Sequence, residues 1–156
     1  VTNKRIIHQH LDGSLSITIP ARVKGNGETE QEYLDAIAAK LNLPDAIRLL
    51  EVLVSELPQS RRFRNMWRES GGAIAVDMPL ARTQRMSEIR EERDGKLIEA
   101  DGPTTREMEQ SGTDYTAWKV YKQALRDLPA ATDLSKITTP EALEAFNPTW
   151  PTPPGE

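Results

Sequence analysis

From residue 14 to residue 20 apolar and polar side chains alternate, with Leu15, Ile17 and Ile19 on one side and Ser14, Ser16 and Thr18 on the other. A period of two is the repeat of an extended strand with one face toward a core. Arg5 to His10, which contains Ile6-Ile7, reads as a partner strand. The Leu11-Asp12-Gly13-Ser14 stretch between them predicts a hairpin, because glycine accepts the positive φ of a tight turn. After a Gly25-Asn26-Gly27 connector the period lengthens. Tyr33, Leu34, Ile37, Ala38 and Leu41 fall at helical spacing, and Thr29 with Glu32 three residues on forms a capping box. Asn42 and Pro44 are its expected stop. Ala46 to Val54, rich in Ile, Leu and Val, reads as a third strand in preference to a short helix, and Leu57-Pro58 closes it. Gly71-Gly72 predicts a turn and Ala73 to Val76 a short strand.

Beyond Asp77 and Pro79 the pattern is helical and charged. Met86, Ile89, Leu97 and Ala100 lie near one stripe, with Arg93 on the same line, and Glu92 and Lys96 form an i,i+4 pair. Asp101-Gly102-Pro103 predicts the end of this helix. Tyr115, Trp118, Tyr121, Leu125 and Leu128 step by three or four residues and make one apolar helix face, with Thr113 or Asp114 as cap and Pro129 as terminator. The short connection predicts an antiparallel pair. A short helix is expected at Pro140 to Ala145 with Thr139 as its cap. Asn147 to Pro154 carries too many prolines for helix or inner strand, so polyproline II is the expected form. The reading is an α+β protein: a small α/β module at 1–77 with a β-hairpin, a helical hairpin at 78–129, and an extended proline-rich tail at 130–156.

Composition narrows the chemistry. There is no cysteine among the 156 residues, which removes disulfides, thiolate nucleophiles and the usual zinc motifs. No apolar run approaches the roughly 20 residues that span a bilayer, and no signal peptide is recognised. The net charge of -4 speaks against a nucleic-acid partner. His8 and His10 share a strand face, but a third metal ligand is not evident, and an ordinary solvated face is expected. Asp12, Asp35, Asp45 and Glu51 are scattered carboxylates, and no phosphate-cradling, nucleophile-elbow or calcium-loop pattern occurs. No catalytic residue, cofactor, metal or small-molecule substrate is expected, and a small enzyme with an unrecognised carboxylate site is the alternative reading. Arg61, Arg62, Arg64 and Arg68 interleave with Phe63 and Trp67. Phe63 and Trp67, four apart on a helical turn, are expected in the core with the arginines in water; the other reading is a nucleic-acid or acidic-protein contact.

Three pieces of the C-terminal half occur in a recognisable order: Arg93 to Asp101, then Trp118-Lys119-Val120-Tyr121-Lys122-Gln123-Ala124-Leu125-Arg126-Asp127-Leu128-Pro129, then Phe146 to Pro154 with its Trp150-Pro151-Thr152-Pro153-Pro154 end. Over residues 93–154 the chain resembles the phage tail-assembly chaperone family, which includes tail-fibre assembly proteins. Gly102 stands where that family usually has Trp, Lys122 stands where it has Arg, and the stretch from Pro129 to Phe146 is longer. The run from Phe63 to Arg68 and on through Asp77-Met78 is loosely similar to other small phage proteins.

The resemblance implies a chaperone for a tail-fibre or other tail protein, working in the host cytoplasm during assembly, without membrane or nucleic acid. Retention in the virion tail and contact with the baseplate go with it, and an adaptor joining fibre to baseplate is the alternative. The expected partner-binding residues are Trp118, Tyr121 and Leu125 on the helix and Trp150, Pro151, Pro153 and Pro154 in the tail. A stiff proline-bearing segment loses little entropy on docking, and a tryptophan can anchor it. The plainer readings are that the helical residues are core and that the tail is a disordered end.

Overall fold

The computed structural model describes residues 3–20, 27–41, 46–110 and 115–155, with backbone alone for 46–50. The Gly25-Asn26 connector, the Asn42 and Pro44 stop and the Thr113 or Asp114 cap lie outside the described residues. The chain forms two compact units, Val1–Asp77 and Met78–Glu156. The architecture is α+β.

In the first unit the strands β1 (Lys4–His10), β2 (Leu15–Thr18) and β3 (Ala46–Leu53) make an antiparallel sheet in the order β2-β1-β3. The first turn is the expected hairpin. Gly13 has φ 78°, its N–H donates to the His10 carbonyl over 3.0 Å, and Asp12 Oδ1 accepts from the Ser14 N–H at 2.8 Å. These contacts fix the register that sets Ile7 opposite Ile17. A one-residue slip would turn the apolar set of a strand to the other face.

Ile7 and Val52 project from one face of this sheet into a core completed by Leu57, Trp67 and Ile74, with Leu15, Ile17 and Val76 at its edge. Ile6 and His8 occupy the other face and are also buried. Helix α1 (Glu30–Lys40) is tied to that second face, where Gln31 Nε2 donates to Glu51 Oε1 over 2.7 Å. Its capping box is formed as the sequence indicates: Glu32 N–H donates to Thr29 Oγ1 and Thr29 N–H to Glu32 Oε2.

A second antiparallel pair, β4 (Trp67–Ser70) and β5 (Ala73–Val76), is joined by Gly71 and Gly72 at φ 62° and 92°. Two positive φ values in a two-residue turn match the twist of a hairpin. Here the expectation of a helical turn from Phe63 to Trp67 is corrected. Only Arg64–Met66 makes a single 3₁₀ turn, and Trp67 opens a strand. Trp67 reaches the core from β4, so its burial comes from strand pairing and not from helical spacing with Phe63.

The second unit contains α2 (Met78–Glu109), α3 (Tyr115–Ala131) and α4 (Pro140–Ala145). α2 does not end at Asp101-Gly102-Pro103 but runs through it, which corrects the sequence reading. Pro103 cannot donate to the carbonyl four residues back, and an interior proline costs a helix about 3 kcal/mol. The loss is offset by packing: Ala100 is buried against Tyr121 and Leu125 of α3, Asp101 pairs with Lys122, and Thr104 Oγ1 donates to the Ala100 carbonyl at 2.6 Å. α3 likewise continues past Pro129 to Ala131, where the Thr132 hydroxyl donates to the Leu128 carbonyl.

Thr104 faces the start of α3 while Ala100 meets its middle, so the pair is antiparallel. α4 has the Thr139 cap its sequence suggests, with Ala142 N–H donating to Thr139 Oγ1 at 3.2 Å.

Candidate docking surface

α3 presents two unlike faces. The inward face follows the predicted stripe: Tyr121, Leu125 and Leu128 are buried and Trp118 half-buried. Trp118 meets Tyr121 edge to face, with centroids 5.7 Å apart and planes at 83°. This arrangement sets the positive edge of one ring on the negative face of the other. Leu125 is wholly sequestered between α2 and α3.

The segments on either side of α4, residues 132–139 and 146–155, fold onto this pair as a strap. Its carbonyls are gripped by α2 in two places. Arg82 donates from Nε and Nη2 to the Ile137 carbonyl at 3.0 and 2.8 Å. Arg85 donates from Nη2 to the Phe146 carbonyl at 3.0 Å and from Nη1 to Glu88 and Glu92 at 3.2 and 2.9 Å. Trp150 then packs, as Leu97 and Trp118 do, against the cluster of Ala100, Tyr121 and Leu125.

From Arg85 to Lys96 the α2 axis rises about 16 Å. The four residues from Phe146 to Trp150 cover about 13–14 Å only when nearly extended. Residues 146–153 accordingly form neither helix nor strand. Pro148 is buried, and Pro151, Pro153 and Pro154 are half-buried.

Between α3 and the strap lies a groove of about 640 Å³ walled by Ala117, Val120, Tyr121, Ala124, Pro151 and Pro154. Val120 is 64% exposed. A second groove of about 540 Å³ on the other side of Val120 holds Lys119, Lys122, Gln123 and Arg126, with Thr104 and Tyr115. Lys119 stands over the Tyr115 ring at 5.5 Å, and Lys122 is paired with Asp101. Of the expected binding residues, Tyr121, Pro151 and Pro154 therefore share one groove wall, Trp118 and Trp150 flank the helical pair, Pro153 lies in the strap, and Leu125 lies beneath.

The remaining candidates behave differently. His8 is 4% exposed, which corrects the expected solvated face. It sits in the central strand β1, where Ile6 and Ile7 are buried on opposite faces, and burial, followed by the charge of His10, lowers its pKa. His10 Nε2 lies 2.7 Å from Ser16 Oγ. Among the described residues no cluster of His, Cys, Asp or Glu is arranged to hold a metal ion. Asp12 is fully exposed, and its carboxyl is lowered mainly by its hydrogen bonds to Ser14.

Phe63 and Trp67 are buried, while Arg61, Arg62 and Arg64 face water. Arg61 lies 6.0 Å from the Trp67 ring centroid. Arg68 folds back to donate to the Asn65 and Trp67 carbonyls. Among the described residues no helix is long and apolar enough to cross a membrane.

Sequence reasoning missed Arg85. It lies among apolar positions of α2 and is 4% exposed. Its signal was present in the carboxylates at i+3 and i+7, Glu88 and Glu92, but its carbonyl partner is sixty-one residues away.

Residues 86–155, which span most of α2, all of α3 and α4, and the strap, match the family model described as phage tail assembly chaperone protein. No curated protein matches the chain, and no solved structure does.

Proposed function

We propose, from the match of residues 86–155 to the phage tail assembly chaperone family model, that the chain is an assembly factor that holds a tail-fibre protein during its folding or attachment. A family of this kind implies binding of a phage tail protein. Its role is binding, with no catalytic centre of its own. It acts in the host cytoplasm while tails are built and stays attached to the fibre in the virion.

The observation that carries this reading is the coincidence of the family match with the unit that joins an aromatic helical pair to a proline-rich strap. That unit leaves Val120 and the groove beside Pro151 and Pro154 open to solvent. The docking surface comprises Trp118 and Tyr121 on α3 and Trp150, Pro151, Pro153 and Pro154 on the strap. Leu125 supports it from below. A fibre protein is long and slow to fold, and its apolar surfaces and strand edges invite aggregation until they are covered. A chaperone that covers them prevents that loss.

Co-expression with the tail-fibre protein of the same phage tests the reading. A several-fold rise in soluble fibre is expected, together with co-purification. Unchanged fibre solubility, with the chain recovered from purified virions in proportion to fibre, would assign it instead to an adaptor between fibre and baseplate.

A further inference from the structure

Val120 stands on a ridge. On one side is the groove edged by Pro151 and Pro154, whose described lining carries no charged side chain. On the other is the groove of Lys119, Lys122 and Arg126, whose described lining carries no carboxylate. Thr116 and Val120 line both. Lys122 is engaged by Asp101 and Gln123 by Asp127, while Lys119, which stands over the Tyr115 ring, and Arg126 are exposed to solvent. Adjacent Cα atoms are about 3.8 Å apart, so a side chain seated beside Val120 brings its neighbours within reach of Lys119. The surface is apolar on one half and positive on the other, although the whole chain is acidic at net -4. A local field opposite to the net charge selects a partner by complementarity.

We infer that this double groove takes an acidic, amphipathic segment of the phage tail protein, with apolar side chains against Val120 and Pro151 and carboxylates on Lys119 and Arg126. The inference rests on the assembly reading and names the chemistry of the partner. A phosphate backbone would satisfy the cations but leave Val120 and the apolar groove uncovered, so an acidic peptide fits both halves better.

The test uses the full chain and the intact tail-fibre protein of the same phage. Val120→Glu and the double variant Lys119→Glu with Arg126→Glu are each expected to weaken fibre binding about tenfold or more, and added salt should weaken wild-type binding. All three positions are exposed, so the far-ultraviolet spectrum and thermal midpoint stay as in wild type. Ile98→Glu, on exposed α2 surface, should bind normally. Exchange of acidic residues for lysine in the bound fibre segment should restore capture by the double variant.

Groove variants that bind like a fibre-competent wild type would overturn the groove and leave the assembly reading intact. A wild type that binds no fibre protein would overturn both. Two other results would overturn the acidic-peptide assignment: tight binding of a single-stranded oligonucleotide lost with Arg126→Glu, or a self-associated dimer abolished by Val120→Glu.

Discussion

The Lys96 ammonium stands 5.2 Å from the centroid of the Trp150 ring, linking the middle of α2 to the far end of the strap. The ring has its apolar body against the cluster of Ala100, Tyr121 and Leu125 and a cation at its face. The two contributions differ in size. Loss of buried aromatic area in Trp150→Ala should cost about 2 kcal/mol for a half-buried ring. Lys96→Gln removes only the cation and should cost about 0.5–1 kcal/mol. Urea midpoints of the two variants, followed by circular dichroism, should rank in that order; equal losses would show that packing is not the main term.

Arg85 joins two carboxylates of α2 to a strap carbonyl from a buried position. Arg85→Ala leaves Glu88, Glu92 and the Phe146 carbonyl without it. The carboxylates are partly in water, so a loss of about 2 kcal/mol is expected, below the 3–5 kcal/mol of a fully buried pair. Arg85→Met keeps the apolar stem and should recover part of it. Protease sensitivity of the strap should rise in both, and a strap as resistant as in wild type would remove Arg85 from the grip.

Pro103 interrupts the hydrogen-bond ladder of a helix that nevertheless continues. Pro103→Ala restores a donor toward the Glu99 carbonyl. Because the flanking turns are already held by α3, the gain should be about 1–2 kcal/mol, less than the full cost of an interior proline. A higher thermal midpoint checks it. An unchanged or lower one would mean that α2 depends on a bend at this point.

His8 makes the first unit sensitive to mild acid. Its pKa is lowered from 6.5 in the folded chain, so the unfolded chain takes up the proton first. Above about pH 6.5 both states hold it neutral and it adds nothing. Below that, stability falls as pH drops, until the lowered folded pKa is passed and the loss levels off. Asp12, Glu32 and Asp133, whose pKa values are lowered from 3.8, 4.5 and 3.8, weaken the fold only at more acid pH. Denaturant midpoints at about pH 7.5 and 5.5 should therefore differ for wild type and converge for His8→Leu. A difference of the same size in the variant would place the sensitivity elsewhere.

Where structure follows from residues a few positions apart, it was legible in the sequence. The Asp12-Gly13 turn, the Thr29 and Glu32 box, the Gly71-Gly72 turn, the Tyr115 to Leu128 stripe and the Thr139 cap all depend on local chemistry. The misses share a different cause. α2 passes Pro103 and α3 passes Pro129 because tertiary packing outweighs the missing donors. β4 is four residues long, with Arg68 and Glu69 in its middle, so no apolar alternation marks it. The burial of His8 and Arg85 depends on partners across the fold. At the candidate surface the aromatic residues could be read from spacing, whereas the Val120 ridge could not. It arises only when the strap lies beside α3.

α2 has 32 residues and α3 has 17, so at 1.5 Å per residue α2 extends about 20 Å beyond what its partner can cover. A third long helix would be the usual way to clothe that length. Here the short α4 packs on part of it, and the run from Phe146 to Trp150, being extended, advances more than twice as far per residue as a helix. Such a ribbon cannot satisfy its own peptide groups as a helix does. Its oxygens must find donors on the rod it wraps, and the guanidinium groups of Arg82 and Arg85 meet that need at Ile137 and Phe146.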